Sequence, residues 1–276
     1  MSIERRVAEH YTRSDLASTI LGALRAAGKD VDRLSLEDLA PVDEFHVRGR
    51  PATAELADGL GLAPGRRVLD VGCGIGGPSR YVAATYDCEV VGIDLTEEYC
   101  RVATLLAERA GLGDRVEYHP GNALAMPFAD GEFDAAYTQH VAMNIEDKAR
   151  LYAEVWRLLK PGGRFGIYDL LQGAGGDVVY PVPWARDDAT SFLVASPELE
   201  ALLEAAGFEI VSWRETAAEA RQWIDQMKAR MAEPNPPPTA AGLLLGEDFR
   251  PMIQNIFRNL MEDRVLPAEV ICRKPA

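Results

Sequence analysis

Residues 68–80 read VLDVGCGIGGPSR. An apolar run ends in a glycine-dense turn, and Pro78 then opens a helical pattern. This order predicts a buried strand, a tight turn and a helix. Gly72 and Gly74 let the chain turn sharply and bring bare backbone against a ligand. The following helix aims its free N–H groups at the same place, which suits a carboxylate or a phosphate. Gly72, Gly74 and Gly77 also fit G-x-G-x-x-G, a spacing that alone would equally suggest a dinucleotide. Asp70, two residues before the first glycine, shifts the balance. A carboxylate there can hold the ammonium of an amino-acid moiety, and it has no task beside a pyrophosphate.

Outward from this turn, apolar runs at 67–71, 89–94, 116–120, 133–138 and 164–169 read as strands. Helical patterns at 78–85, 97–110 and 148–159 lie between them, and Pro161-Gly162-Gly163 stops the last. Strand and helix in alternation predict a parallel sheet with helices on both faces. Ligands of such sheets sit at the carboxyl ends of the strands. Asp94, which ends the second strand, is placed to accept hydrogen bonds from both ribose hydroxyls.

The chain then changes character. A helix over 196–207 leads to strands at 208–215 and 265–274. Between these strands lie helical patterns at 216–232 and 243–263, parted by the break EPNPPP at 233–238. This reads as a helical insertion at about 216–263 within one domain of residues 64–276. Residues 1–63 look helical at 4–27 and 51–61, with a Leu-rich turn at 34–39. They are too few to bury a core alone and are expected to cap the sheet. The run GAGG at 173–176 is a candidate hinge.

Length and charge narrow the function. The 276 residues are 47% hydrophobic and 26% charged, as in a globular protein with a substantial core. Acidic residues outnumber basic ones, 43 to 29, for a net charge of −14. That balance argues against a nucleic-acid partner, which calls for a basic face. No apolar run approaches the roughly 18–20 residues of a membrane span, and residues 1–6 lack an apolar signal core. Cys73, Cys88, Cys100 and Cys272 have neither CxxC nor metal-ligand spacing. Reduced thiols, no metal and a cytoplasmic location are expected.

In order along the chain, LDVGCGIGG, GID, GNALAMPFADGEFDAAY and LKPGGRFGIYD resemble the motifs of class I S-adenosylmethionine-dependent methyltransferases. The resemblance covers about 64–170 and returns at the last two strands. It implies a doubly wound, seven-stranded, mostly parallel Rossmann-like α/β sheet with an antiparallel last strand. It also implies S-adenosylmethionine as cofactor, S-adenosylhomocysteine as product, and in-line methyl transfer to a small molecule. The nucleophile would lie about 3 Å from the methyl carbon. Carried over, Gly72, Cys73 and Gly74 line the methionine part, and Asp94 takes the ribose while Leu95 packs on the adenine. The Asn122 side chain, where many relatives have Asp, pairs with the adenine amino group, and Ala123 lies beside it. The backbone of Gln139 approaches the cofactor's amino group.

Gln139, His140 and Asp169 follow the fourth and fifth strands and are the candidates for orienting or deprotonating the acceptor; a structural role for His140 stays open. Met143 and Asn144 stand where some O-methyltransferases carry a histidine, a departure from a His–Asp base. A closer resemblance rests on DEFHVRG at 43–49, YPVPW at 180–184, Ser191-Phe192-Leu193 and residues 255–260. These look like the sarcosine/dimethylglycine N-methyltransferases and their relatives. That likeness turns Tyr11 and His46 toward the cofactor and puts Trp184, with Asn144, on the acceptor side. It favours N-methylation of a small amino acid or amine. O- or C-methylation of a secondary metabolite is the alternative, and a non-catalytic S-adenosylmethionine-binding protein is a further one. The helical additions serve either as a lid or as a homodimer interface.

Overall fold

The computed structural model describes residues 2–12, 15–233 and 238–276. Residues 234–237 of the proline-rich break lie outside the described residues.

Among the described residues, four helices precede the sheet: α1 (Ile3–Tyr11), α2 (Leu16–Ala26), α3 (Leu36–Asp43) and α4 (Arg50–Leu60). The alternating part follows as β1 (Arg67–Val71), α5 (Gly77–Tyr86), β2 (Glu89–Asp94), α6 (Glu97–Arg109), β3 (Val116–Pro120), β4 (Phe133–Gln139), α7 (Lys148–Leu158) and β5 (Leu159–Gln172). The chain closes with α8 (Ser196–Ala205), β6 (Glu209–Glu215), α9 (Ala217–Met231), α10 (Ala240–Leu245), α11 (Phe249–Met261) and β7 (Val265–Arg273).

The sheet order is β3-β2-β1-β4-β5-β7-β6. β1 to β5 pair in parallel, and β7 runs antiparallel to both β5 and β6. This is the expected seven-stranded sheet with its reversed closing strand. Val68, Leu69 and Val71 of β1 are all buried, as a strand covered on both faces requires. One face is covered by α7 and α8 through Leu151, Val155, Leu158, Leu199 and Leu203. The other is covered by α4 and α5 through Leu56, Leu60 and Val82. The strand order turns outward between β1 and β4, so a crevice opens at their carboxyl ends. All four cysteines are free and buried, and no helix among the described residues is long and apolar enough to cross a membrane.

Several local expectations are corrected. The helix expected over 4–27 is two helices, and Asp15 lies in the left-handed region between them (φ 65°). The first has no buried residue, whereas α2 buries Leu16, Ile20 and Leu24. The turn at 34–39 is the start of α3, nucleated by a Ser35–Asp38 capping box. The helix expected over 243–263 is broken at Gly246 (φ 57°) into α10 and α11. Pro161-Gly162-Gly163 does end α7, but those residues already belong to the long β5. The GAGG run is pinned rather than loose: the amides of Gly173 and Gly175 donate to the carbonyls of Arg264 (2.9 Å) and Asp263 (2.8 Å).

The additions to the sheet build two further apolar clusters. α2, α3, α6 and α10 meet through Ile20, Leu39, Val102 and Leu244. α9 and α11 meet Val47, Met143, Leu170 and Trp184 through Ile224, Ile253, Ile256 and Phe257.

Candidate active site

The glycine turn between β1 and α5 is held from below. Arg80, fully buried on α5, donates to the Ile75 carbonyl (2.8 Å) and to Asp43 Oδ1 (2.5 Å). Burial pushes the Asp43 carboxyl up to about 6, although the Arg80 guanidinium pulls it down. The amides of Gly72 and Cys73 donate to the Ile93 carbonyl at 2.8 and 3.1 Å. Gly72 sits at φ 79°, and a Cβ there would run into Val141. Glycine is therefore required on both conformational and steric grounds.

Above this turn lies a cavity of about 250 Å³. Its lining includes Tyr11, His46, Asp70, Gly72, Cys73, Gly74, Asp94, Leu95, Asn122, Ala123, Gln139, His140 and Asn144. The Asp94 carboxylate accepts from the amides of Gly74 (2.9 Å) and Thr96 (2.8 Å), one on each oxygen. A carboxylate offers about four acceptor sites, so Asp94 retains capacity for a diol. Asp70 Oδ2 accepts from Ser79 Oγ (2.5 Å) and from the Tyr137 hydroxyl (2.8 Å). Burial raises Asp70 to about 7 against those two bonds. Asn122 Oδ1 accepts from the Leu124 amide at 2.9 Å. A Cβ on Gly74 would meet nothing within 4 Å, so the turn presents bare backbone to open space. Two acidic residues at strand ends, an open glycine turn and the apolar Leu95 fit an adenosyl amino acid: diol, ammonium and base each find a matching group.

A second cavity, of about 400 Å³, adjoins the first. Tyr11, Phe45, His46 and His140 line both. Its farther wall comes from the insertion, including Trp223, Met227, Phe249, Ile253, Ile256 and Phe257, and Trp184 lines it too. His46 and His140 form the boundary. His46 Nε2 lies 2.8 Å from Glu44 Oε2 and 3.1 Å from Thr53 Oγ1, and its Nδ1 lies 3.1 Å from the Val47 carbonyl. His140 follows β4 in the left-handed region (φ 54°) and stacks on Tyr168 with centroids 5.4 Å apart. Its Nε2 is buried without a hydrogen-bond partner. Burial, with His46 adding to it, holds His140 well below the usual histidine range, so the ring is neutral at pH 7.

Three anticipated residues sit differently from the rest. Asp169 lines neither cavity; its carboxylate accepts from the amides of Ala142 (2.8 Å) and Leu170 (2.8 Å), which braces the loop after β4. Asn144 is taken up by the Tyr11 hydroxyl (2.9 Å) and by the carbonyls of Trp184 (2.9 Å) and Thr190 (2.8 Å). It ties α1 to the Trp184 segment. The Gln139 side chain lies against Thr53 Oγ1 (3.3 Å) and His46 Nε2 (3.3 Å). Sequence reasoning missed Glu44, Thr53 and Tyr137, and it offered the insertion as a lid or an interface without naming the residues of its wall. The one available signal was the spacing of Ile253, Ile256, Phe257 and Leu260 along a helix, which a core face shares.

Fold and site together fit the S-adenosylmethionine-dependent, Rossmann-like class of methyltransferase domains. Residues 69–167 match the methyltransferase domain family. A 24-methylenesterol C-methyltransferase of Oryza sativa is 36% identical over 180 residues, 63% of this chain and 50% of that protein. The chain spans between about a third and a half of the length of the curated relatives it matches. Among solved structures, geranyl diphosphate C-methyltransferase from Streptomyces coelicolor superposes with a TM-score of 0.72 at 14% identity, covering 99% of this chain and 98% of that one. A sarcosine dimethylglycine methyltransferase-like protein of Galdieria sulphuraria gives 0.65 at 15% identity, over 86% and 93%. At such identities these two likenesses establish the fold.

Proposed function

We propose that the chain methylates a small molecule held in the second cavity, with S-adenosylmethionine in the first. The observation that carries this reading is the shared boundary: His46 and His140 line both cavities. A donor in one and an acceptor in the other would meet there, out of bulk water. Bound, the cofactor supplies a methyl group on a sulfonium. Asp94 then holds the ribose, Asp70 in its ionised form holds the ammonium, and Leu95 and Asn122 flank the base. Gln139 steadies His46, and Asn144 holds Tyr11 and Trp184 in place. His140, neutral, orients the acceptor and takes a proton where the acceptor must lose one. Asp169 positions the His140 loop rather than handling the proton itself. Residues 1–63 act as the cap over both cavities, and the insertion at about 216–263 supplies the acceptor wall.

The apolar farther wall favours C- or O-methylation of a secondary metabolite over N-methylation of sarcosine. Apart from Gln226, Arg230 and Thr239, that wall offers a zwitterion no partner for its lost hydration. The sterol C-methyltransferases among the similar proteins support that choice. The test is incubation with methyl-labelled S-adenosylmethionine and a panel of apolar alcohols, phenols and alkenes beside glycine, sarcosine and dimethylglycine. Label in an apolar acceptor is the expected result. Label in sarcosine or dimethylglycine would restore the N-methylation reading. Cofactor binding without transfer would favour the non-catalytic alternative.

A further inference from the structure

The chain carries a net charge of −14, yet the charged residues that line the second cavity are Arg48, Arg50 and Arg230 against Glu44. Glu44 is engaged with His46 at 2.8 Å and Thr53 at 3.0 Å. The arginines are only partly engaged. Arg48, 7% exposed, gives one arm to Glu55 (2.6 Å), and its Nη1 is buried without a hydrogen-bond partner. Glu55 is itself shared with Arg214. Arg50 donates to the Leu36 carbonyl (3.1 Å), while its Nε, 3.7 Å from Glu44 Oε1, makes no hydrogen bond. A buried guanidinium N–H without a partner is costly, so both groups are ready donors for an oxygen.

The backbone adds to them. Arg48 and Gly49 both take positive φ, 70° and 55°, which is uncommon for a residue with a side chain. The turn they make starts α4 at the cavity wall, where Gly49, Arg50 and Pro51 all line it. No side chain caps this N-terminus, and its first turn holds no acidic residue. The positive end of the helix thus keeps its attraction for an anion. On α9, Trp223, Gln226, Met227 and Arg230 fall at i, i+3, i+4 and i+7, so one helix face lines the same cavity. Trp223 and Met227 make that face apolar in part, and Arg230 adds a charge at an exposed position.

From this arrangement, and resting on the reading above, we infer that the acceptor carries an anionic oxygen group, a carboxylate or a phosphate, on an apolar body. The anion sits at the N-terminus of α4, against the free arm of Arg48 and beside Arg50. The body lies against Trp223, Met227, Ile253 and Phe257. Guanidinium N–H groups pair with carboxylate and phosphate oxygens alike. A cleft lined mainly by cations also draws an anion in by its field.

The full chain loaded with S-adenosylhomocysteine tests this without a known acceptor. Octanoate, octyl phosphate, octanol and octyltrimethylammonium are titrated against it. At least one anion is expected to bind about tenfold tighter than octanol, with the cation weakest, and the tighter anion names the headgroup. Arg48→Gln should bring the ratio of anion to octanol affinity close to one. Arg230→Gln, at an exposed position, should lower that ratio about threefold and supplies a second reading if Arg48→Gln does not fold. Octanol or the cation binding as tightly as both anions overturns the inference. So does an anion preference kept in full by every variant that folds. Uptake of S-adenosylhomocysteine is read separately, so these two outcomes leave the methyltransferase reading standing. Protein that fails to take up S-adenosylhomocysteine while folded brings down that reading, and this inference with it.

Discussion

The imidazole rings of His46 and His140 lie 5.8 Å apart, centroid to centroid, on the stretch of wall that the two cavities share. The two rings arrive there by different routes. His46 comes from the loop between α3 and α4, fixed by Glu44 and Thr53. His140 comes from the end of β4, fixed by stacking on Tyr168 and by its own amide on the Tyr168 carbonyl (2.8 Å). Each ring is thus held by its own surroundings before any ligand enters.

The buried Arg80–Asp43 pair joins α5 to the end of α3, under the glycine turn. Arg80→Met would leave the Asp43 carboxylate buried with its close partner gone. A loss of about 3–5 kcal/mol in urea unfolding is expected. Weaker binding of S-adenosylhomocysteine should accompany it, because the Ile75 carbonyl also loses its donor. A loss below about 1 kcal/mol would show that the pair is dispensable.

In the proposed reading, Asp70 makes cofactor affinity depend on pH. Burial raises its carboxyl to about 7 in the fold, from an ordinary value of 3.8. The stability linked to this group is therefore fully present below about 3.8 and lost as pH rises through about 7. The ionised form, which costs the empty protein stability, is the one that would attract the cofactor's ammonium. Affinity for S-adenosylhomocysteine should rise roughly tenfold between about pH 6 and about pH 8, and Asp70→Asn should flatten that rise. A wild-type affinity independent of pH would remove Asp70 from the ammonium site.

Gly175 packs against the α11–β7 turn. A Cβ there would run into the Glu262 carbonyl oxygen, a backbone atom that cannot swing away. Gly175→Ala should lower stability by about 2 kcal/mol, read by denaturant midpoint. Unchanged stability would return the GAGG segment to the role of a loose hinge.

The first cavity was legible in the sequence because its lining sits on residues that local rules single out. Asp70 and Asp94 end apolar runs, and Gly72 and Gly74 sit where a strand must turn into a helix. The second cavity was far less legible. Its wall consists of Trp223, Ile253, Phe257 and neighbours, whose spacing on a helix reads as ordinary core. Only the meeting of α9 and α11 with Val47 and Met143 shows that part of this face lines a cavity. Glu44 was hidden for another reason. Two residues from His46 on an irregular loop, it meets the ring only because the backbone after α3 bends there. Asp169 misled in the opposite direction: an acidic residue in a strand near the site looked catalytic, and its oxygens turn out to hold backbone amides. Gly175 likewise looked free because glycine marks both hinges and close backbone contacts.

The most direct test of the whole account is a calorimetric titration of S-adenosylhomocysteine into the wild-type protein and into Asp94→Ala. The account predicts binding to the wild type and a loss of about a hundredfold or more in the variant, as two hydrogen bonds to a charged group disappear. Equal affinity in the two folded proteins, or no binding to the wild type, would contradict it.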